Sequence, residues 1–136
     1  MKQQYPEPVV GALIANPEGK VLLVRSYKWP EQYVIPGGHI ELGETMEEAL
    51  KREMKEETGL DIYDIEHAWL GESVFQDSFH EKKHFIFINF VCKTDSCEVV
   101  LNDELQEHVW VSPQEVLELT QDPDLIPLVE KTNQRG

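Results

Sequence analysis

The chain has 136 residues, 40% of them hydrophobic and 28% charged, which is ordinary for a single globular domain over residues 1–136. Its formal net charge of -14 argues against a basic nucleic-acid-binding face, so we expect no polymeric nucleic-acid partner. A substrate that carries phosphates would need another source of attraction, and a divalent cation is the obvious candidate.

The N-terminal segment "MKQQYPEPVV" lacks the apolar region of a signal peptide. No apolar run approaches the roughly 18 residues that a membrane span needs. Cys92 and Cys97 are the only cysteines, too few for a disulfide framework. We therefore expect a cytoplasmic protein with free thiols and no membrane partner.

Two segments predict strands of a central sheet. "PVVGALIANPEGKVLLVRS" indicates a hairpin whose turn contains Gly19. Residues 21–24 are continuously apolar, as are most residues of "HFIFINFVC" at 84–92. Unbroken apolar runs favour strands that are covered on both faces, so helices are expected on both sides of the sheet.

The segment "WPEQYVIPGGHIELGE" predicts a loop with a short extended piece at residues 33–35, followed by a helix of about four turns. "TMEE" is typical of a capping box formed by Thr45 and Glu48, and Gly59 is suited to end the helix in a left-handed conformation. Glu48 also lies four residues before Arg52, which predicts a salt bridge along the helix.

The C-terminal third predicts one more strand and two helices. "DELQEHVWV" favours a strand, and "SPQEVLEL" a helix capped by Ser112 and Glu115 with Pro113 in its first turn. The remainder, "TQDPDLIPLVEKTNQRG", predicts a short final helix and a frayed end.

The helix that begins near Thr45 carries three crowded glutamates, Glu53, Glu56 and Glu57, within an arc of roughly 100°. They lie towards its C-terminal end, where the helix dipole disfavours negative charge. Arg52 and Lys55 are the nearest cations along the helix, and both are expected to point off this arc. The crowding is compatible with an Mg²⁺ or Mn²⁺ site or with a merely acidic surface.

The longer stretch "GHIELGETMEEALKREMKEETGL" resembles the Nudix box, G-x5-E-x7-R-E-U-x-E-E-x-G-U, at every fixed position. Met54 and Leu60 fill its two bulky apolar positions, and the "KVLLVRS" strand, the PGG and the final "EHVWVSPQEV" extend the likeness. The matching fixed residues are Gly38, Glu44, Arg52, Glu53, Glu56, Glu57 and Gly59.

Resemblance to this family implies an α/β/α sandwich with a central mixed sheet. It also implies Mg²⁺- or Mn²⁺-dependent hydrolysis of a nucleoside diphosphate linked to another group. The implied metal ligands are the carboxylates of Glu53, Glu56 and Glu57, joined by the Gly37 carbonyl. Arg52 would orient these carboxylates with Glu44 as its partner, and Glu53 or Glu56 could accept the proton of the attacking water.

Family members often draw a further base or ligand from outside the box. Glu104 is our choice, because an acidic residue a few positions before a Trp-containing strand is common in the family. Glu98 and Glu107 are its competitors.

Substrate contacts are predicted less specifically. Arg25 is a candidate phosphate contact, Trp29 and Tyr33 could stack on a base, and Gly38 would let the backbone approach the substrate closely. Each also has an ordinary structural explanation as a surface or packing residue. Two carboxylates near the C-terminus could reach a base edge or simply cap helices: Asp122 and Asp124.

The leading prediction is a pyrophosphohydrolase of a (deoxy)nucleoside triphosphate, with water attacking a phosphate. ADP-ribose, a dinucleotide or another pyrophosphate is the alternative substrate, and a catalytically silent nucleotide-binding module is the alternative class. Silent relatives tend to lack box carboxylates, and this chain has all of them. Nudix domains are often dimers, so a homodimer is also left open.

Overall fold

The computed structural model describes residues 4–27, 30–75 and 83–135. They form six strands and three helices, with two additional 3₁₀ turns at Pro113–Glu115 and Pro123–Leu125. The strands are β1 (Glu7–Ala15), β2 (Val21–Ser26), β3 (Gly37–His39), β4 (Ile62–Val74), β5 (His84–Thr94) and β6 (Leu105–Val111). The helices are α1 (Met46–Thr58), α2 (Val116–Leu119) and α3 (Ile126–Arg135).

All six strands belong to one sheet, in the order β4-β5-β1-β2-β6, and β3 pairs with the first half of β1. The β1–β5 pair is parallel along its whole length, whereas the other strand pairs are antiparallel. The predicted central mixed sheet is therefore confirmed.

The predicted hairpin joins β1 to β2. The Asn16 side-chain oxygen accepts hydrogen bonds from the backbone N–H groups of Glu18 at 2.9 Å and Lys20 at 3.0 Å. Gly19 has φ of 79°, a left-handed conformation that costs glycine little. This local turn chemistry brings Ala15 opposite Val21.

Apolar residues are buried on both faces of the sheet. On one face Val10, Ala12 and Leu22 pack with Leu50 and other residues of α1. On the opposite face a second core joins Leu13, Val21, Leu23 and Val91 to the C-terminal elements. These contribute Val116 of α2, Leu125 of the second 3₁₀ turn and Leu128 of α3. These two layers confirm the predicted α/β/α sandwich.

Helix α1 has the predicted ends. Thr45 and Glu48 form the capping box, with the Thr45 N–H donating to Glu48 Oε1 at 2.9 Å. Gly59 follows with φ of 75°. The predicted Glu48–Arg52 salt bridge was wrong, because the Glu48 carboxylate caps the helix while the Arg52 guanidinium pairs with other carboxylates.

Two strands were not predicted from the sequence: β3 and the long β4. Register shifts interrupt β4 near Tyr63 and His67, and Asp64 adopts φ of 56°. The final helix was predicted as short, but α3 has 10 residues. Among the described residues, no helix is long and apolar enough to span a bilayer.

Candidate active site

Arg52 is the centre of the carboxylate cluster on α1. Its Nε and NH2 atoms donate to the two Glu44 oxygens at 2.6 and 2.8 Å, a bidentate arrangement. Its NH1 atom donates to Glu53 Oε1 at 2.9 Å and Glu56 Oε2 at 3.3 Å. NH2 also donates to the carbonyl of His39 at 3.0 Å, which ties the helix to β3.

The expectation that Arg52 points off the arc of glutamates was therefore wrong. The Arg52 side chain is long enough to reach back over the helix, where the carboxylates attract its guanidinium. Lys55 does point away, with Nζ near Asp61 at 3.2 Å. Glu44 is held from both sides, since it also accepts from the backbone N–H of Glu41 at 2.8 Å. The Arg52 hydrogen bonds lower the pKa of Glu44 to about 2.

Glu57 is the most buried member of the cluster, with only 3% of its surface exposed. Its Oε2 atom is buried and has no hydrogen-bond partner. Burial raises the pKa of this carboxyl, and the charge of Glu53 raises it further. A hydrogen bond from the Gly37 backbone acts in the opposite direction. The protein thus places two carboxylates together and leaves one oxygen unpaired.

The two glycines before α1 permit this approach of helix and strand. A Cβ atom at Gly38 would collide with the Glu53 carboxylate, and one at Gly37 would collide with the Val10 carbonyl oxygen. Gly38 therefore makes room for a glutamate side chain, a role that the sequence reasoning did not assign to it.

Of the three acidic residues considered outside the box, Glu104 lies near the cluster. Its charge contributes to the raised pKa of Glu57. The segment that precedes it is tied to the end of α1, with the Val100 N–H donating to the Thr58 carbonyl at 2.9 Å. Glu107 lies in β6 opposite Arg25 instead.

Two predicted substrate residues contact each other rather than the carboxylate cluster. Arg25 NH2 lies 2.9 Å from Glu107 Oε1, and the Tyr33 hydroxyl donates to the same oxygen. The Arg25 guanidinium also lies over the Tyr33 ring, 5.6 Å from its centroid. The pairing follows from the β2–β6 register, which sequence reasoning did not predict. Trp29 lies outside the described residues.

Of the two C-terminal carboxylates, Asp122 has the capping role considered for it. Asp122 Oδ1 accepts a hydrogen bond from the Asp124 N–H at 3.0 Å, at the start of a 3₁₀ turn. Burial raises the pKa of Asp122.

The residues present fit a hard divalent cation. The donors are carboxylate oxygens, which Mg²⁺ and Mn²⁺ prefer, and the buried unpaired oxygen of Glu57 lacks a positive partner. Within the described part of the chain, no three His, Cys, Asp or Glu side chains are gathered tightly enough for one ion. Arg52 NH1 explains this, because it holds Glu53 and the half-exposed Glu56.

The protein is an α/β/α sandwich in which the glutamates of one helix lie behind a glycine-rich loop. A family model described as the NUDIX domain matches residues 5–132. The chain belongs to the Nudix family, and the prediction of a Nudix hydrolase is confirmed. Enzymes of this family generally use divalent metal ions.

Several known proteins are similar to this chain. Nucleoside triphosphatase NudI of Salmonella paratyphi B is 34% identical over 94 residues, covering 65% of this chain and 67% of that protein. A MutT protein from Methanosarcina mazei has a TM-score of 0.73 at 27% identity, covering 98% of each chain. The dihydroneopterin triphosphate pyrophosphohydrolase of E. coli shares the fold, with a TM-score of 0.79 at 16% identity and coverage of 98% and 100%.

Proposed function

We propose that the protein is a divalent-metal-dependent pyrophosphohydrolase of nucleoside triphosphates, cleaving between phosphates by attack of water. The main support for this proposal is the cluster around Arg52. Several carboxylates there pair with the single Arg52 guanidinium, and Glu57 Oε2 has no hydrogen-bond partner. The similarity to a nucleoside triphosphatase over two thirds of its length supports the substrate class.

The metal would be held by Glu53, Glu56 and Glu57, with the Gly37 backbone beside them. When bound, Mg²⁺ or Mn²⁺ neutralises phosphate charge and lowers the pKa of a bound water. Glu56 is the carboxylate with freedom to turn towards its neighbours, since its side chain is 57% exposed and Arg52 is its only ion-pair partner among the described residues.

The remaining groups have roles in positioning and proton transfer. Arg52 holds Glu53 while Glu44 fixes the guanidinium from its other edge, so the carboxylate geometry is set before substrate arrives. Glu53 or Glu56 accepts the proton of the attacking water. Glu104, whose charge already acts on Glu57, is the further acidic group of the site.

A panel of nucleoside triphosphates, ADP-ribose and dinucleotides, with products identified, tests the proposal. We expect hydrolysis of at least one nucleoside triphosphate with Mg²⁺, none with chelator, and a loss of at least about 100-fold in Glu53→Gln. Glu47→Gln, an exposed residue on the same helix paired with Lys51, is the matched control and should retain activity. Nucleotide binding without cleavage of any panel member would instead indicate a silent module.

A further inference from the structure

A groove of about 610 Å³ lies beside β3 and contains none of the residues predicted from the sequence to form the site. Two exposed aromatic side chains line it: Tyr5, with 66% of its surface exposed, and Phe75, with 56%. Ring surfaces of this kind in a concave site suit a flat apolar face of a ligand.

The polar groups of the groove form a nearly neutral network. Glu7 Oε1 lies 2.9 Å from His39 Nε2, and Glu7 Oε2 lies 3.2 Å from Lys83 Nζ. Among the described residues that line the groove, the Glu7 carboxylate balances the Lys83 ammonium, so a phosphate placed there would meet Glu7 as well as Lys83. Donors and acceptors beside aromatic rings instead match a neutral, planar, hydrogen-bonding group.

Phe75 has a backbone conformation that is costly for its residue type. Its φ of 52° lies in the left-handed region, which bulky side chains rarely adopt. The Phe75 N–H donates to the Lys83 carbonyl at 2.8 Å, which fixes this conformation between β4 and β5. Strain of this kind is concentrated at functional sites, and here it holds an exposed ring over the groove.

Strand β3 contributes residues to both the groove and the surroundings of the carboxylate cluster. Gly38 faces Glu53 on the α1 side, while alternation along the strand turns the His39 side chain to the opposite face, towards Glu7 and Phe85. The His39 carbonyl accepts the hydrogen bond from Arg52. Neighbouring residues of one short strand therefore serve the carboxylate cluster and the groove.

We propose that this groove binds the heterocyclic base of the nucleotide, with the ring packed on Tyr5 and Phe75 and its polar edge on Glu7, His39 and Lys83. The inference rests on the proposed function, because it places the base of the nucleotide whose phosphates the carboxylates act on. Removing one aromatic wall is expected to raise KM about 10-fold, a typical effect of losing base–aromatic stacking.

Steady-state kinetics on a nucleoside triphosphate, with inorganic tripolyphosphate as a base-free competitive inhibitor, test the proposal. In Tyr5→Ala and Phe75→Ala we expect a raised KM, a nearly unchanged kcat and an unchanged inhibition constant for tripolyphosphate. Tyr63→Ala is the matched control, since Tyr63 is a half-exposed aromatic residue at the other end of β4 that contacts Asp95. An equal loss of affinity for both ligands would overturn the inference.

Binding of nucleosides without phosphates or divalent ions, followed by NMR shifts of the protein, separates this inference from the proposed function. We expect shifts at Glu7 and His39, and weaker binding in Tyr5→Ala, a variant that leaves the Phe75 backbone intact. Nucleoside binding by a protein that cleaves nothing would support the groove as the base-binding site and would contradict the proposed function. Cleavage by a protein whose groove variants keep wild-type KM and nucleoside binding would overturn the groove alone.

Discussion

Two clusters of charge in this protein use arginine in opposite ways. The box cluster consists of Glu41, Glu44, Arg52, Glu53, Glu56 and Glu57. The C-terminal cluster consists of Asp64, Glu66, Lys93, Lys131 and Arg135. In the box cluster one guanidinium lies within 4.0 Å of four carboxylates, whereas in the C-terminal cluster three cations surround two carboxylates.

The C-terminal cluster has an evident structural purpose. Arg135 NH2 lies 2.7 Å from Asp64 Oδ2 and donates to the Asp64 carbonyl at 2.6 Å, while NH1 donates to the Val91 carbonyl at 3.1 Å. These contacts join α3 to the irregular part of β4 and to β5. A cluster that serves the fold is neutralised by the chain itself, and the surplus of negative charge in the box cluster therefore indicates a different purpose.

Among the changes that test this contrast between the two clusters, Glu57→Gln is expected to have the largest effect. Loss of the charge should lower kcat by about 10³-fold, or ~4 kcal/mol of barrier, if Glu57 holds the cation. Without metal, the same change should stabilise the protein by about 1 kcal/mol, because the new amide donates to Glu53 where a buried oxygen had no partner. Hydrolysis rates and urea unfolding in chelator measure the two effects.

The matched change in the other cluster is Glu66→Gln, which removes a paired and half-exposed carboxylate. It should leave kcat unchanged and should not raise stability. A Glu57→Gln protein that is both active and less stable would show that the box cluster is structural too.

Added Mg²⁺ provides the next largest effect. An ion that binds the folded state at about 100 times its dissociation constant stabilises it by ~2.7 kcal/mol. This stabilisation should raise the melting temperature of the wild type and of Asp64→Asn/Glu66→Gln. The melting temperature of Glu53→Gln/Glu57→Gln should not change. The same shift in all three proteins would mean that the stabilising ion binds elsewhere.

The contrast also explains which features the sequence could predict. Thr45, Glu48 and Gly59 act within one or two turns of their own helix, and the convergence of glutamates follows from helical spacing alone, so these predictions needed no tertiary information. Strand β4 depends on pairing with β5, and its register shifts break the alternation that marks a strand. Contacts set by strand register, such as Arg25 with Glu107, could not be predicted for the same reason.

Lowering the pH is expected to have the smallest effect on stability. It compares the contribution of the Arg52 ion pair with that of the Arg135 ion pair. Arg52 lowers the pKa of Glu44 from 4.5 to about 2, and Arg135 lowers the pKa of Asp64 from 3.8. A carboxyl whose pKa is lowered by folding stabilises the folded state fully above its unfolded pKa and loses that contribution as pH falls through the folded value. Both contributions should therefore fade on acidification, the larger one between about pH 4.5 and 2.

Urea unfolding of metal-free protein between pH 6 and pH 2.5 measures these contributions in Glu44→Gln and Asp64→Asn. Asparagine is a suitable replacement at residue 64, since it tolerates the left-handed backbone found there. The destabilisation by Glu44→Gln should be greatest at pH 6 and shrink towards pH 2.5, because below about pH 4.5 the Glu44 carboxyl of the unfolded wild type takes up a proton. Asp64→Asn should destabilise the protein less at every pH, since the carbonyl of residue 64 still binds Arg135. A Glu44→Gln curve parallel to the wild type would mean that Arg52 draws its stabilisation from the other glutamates.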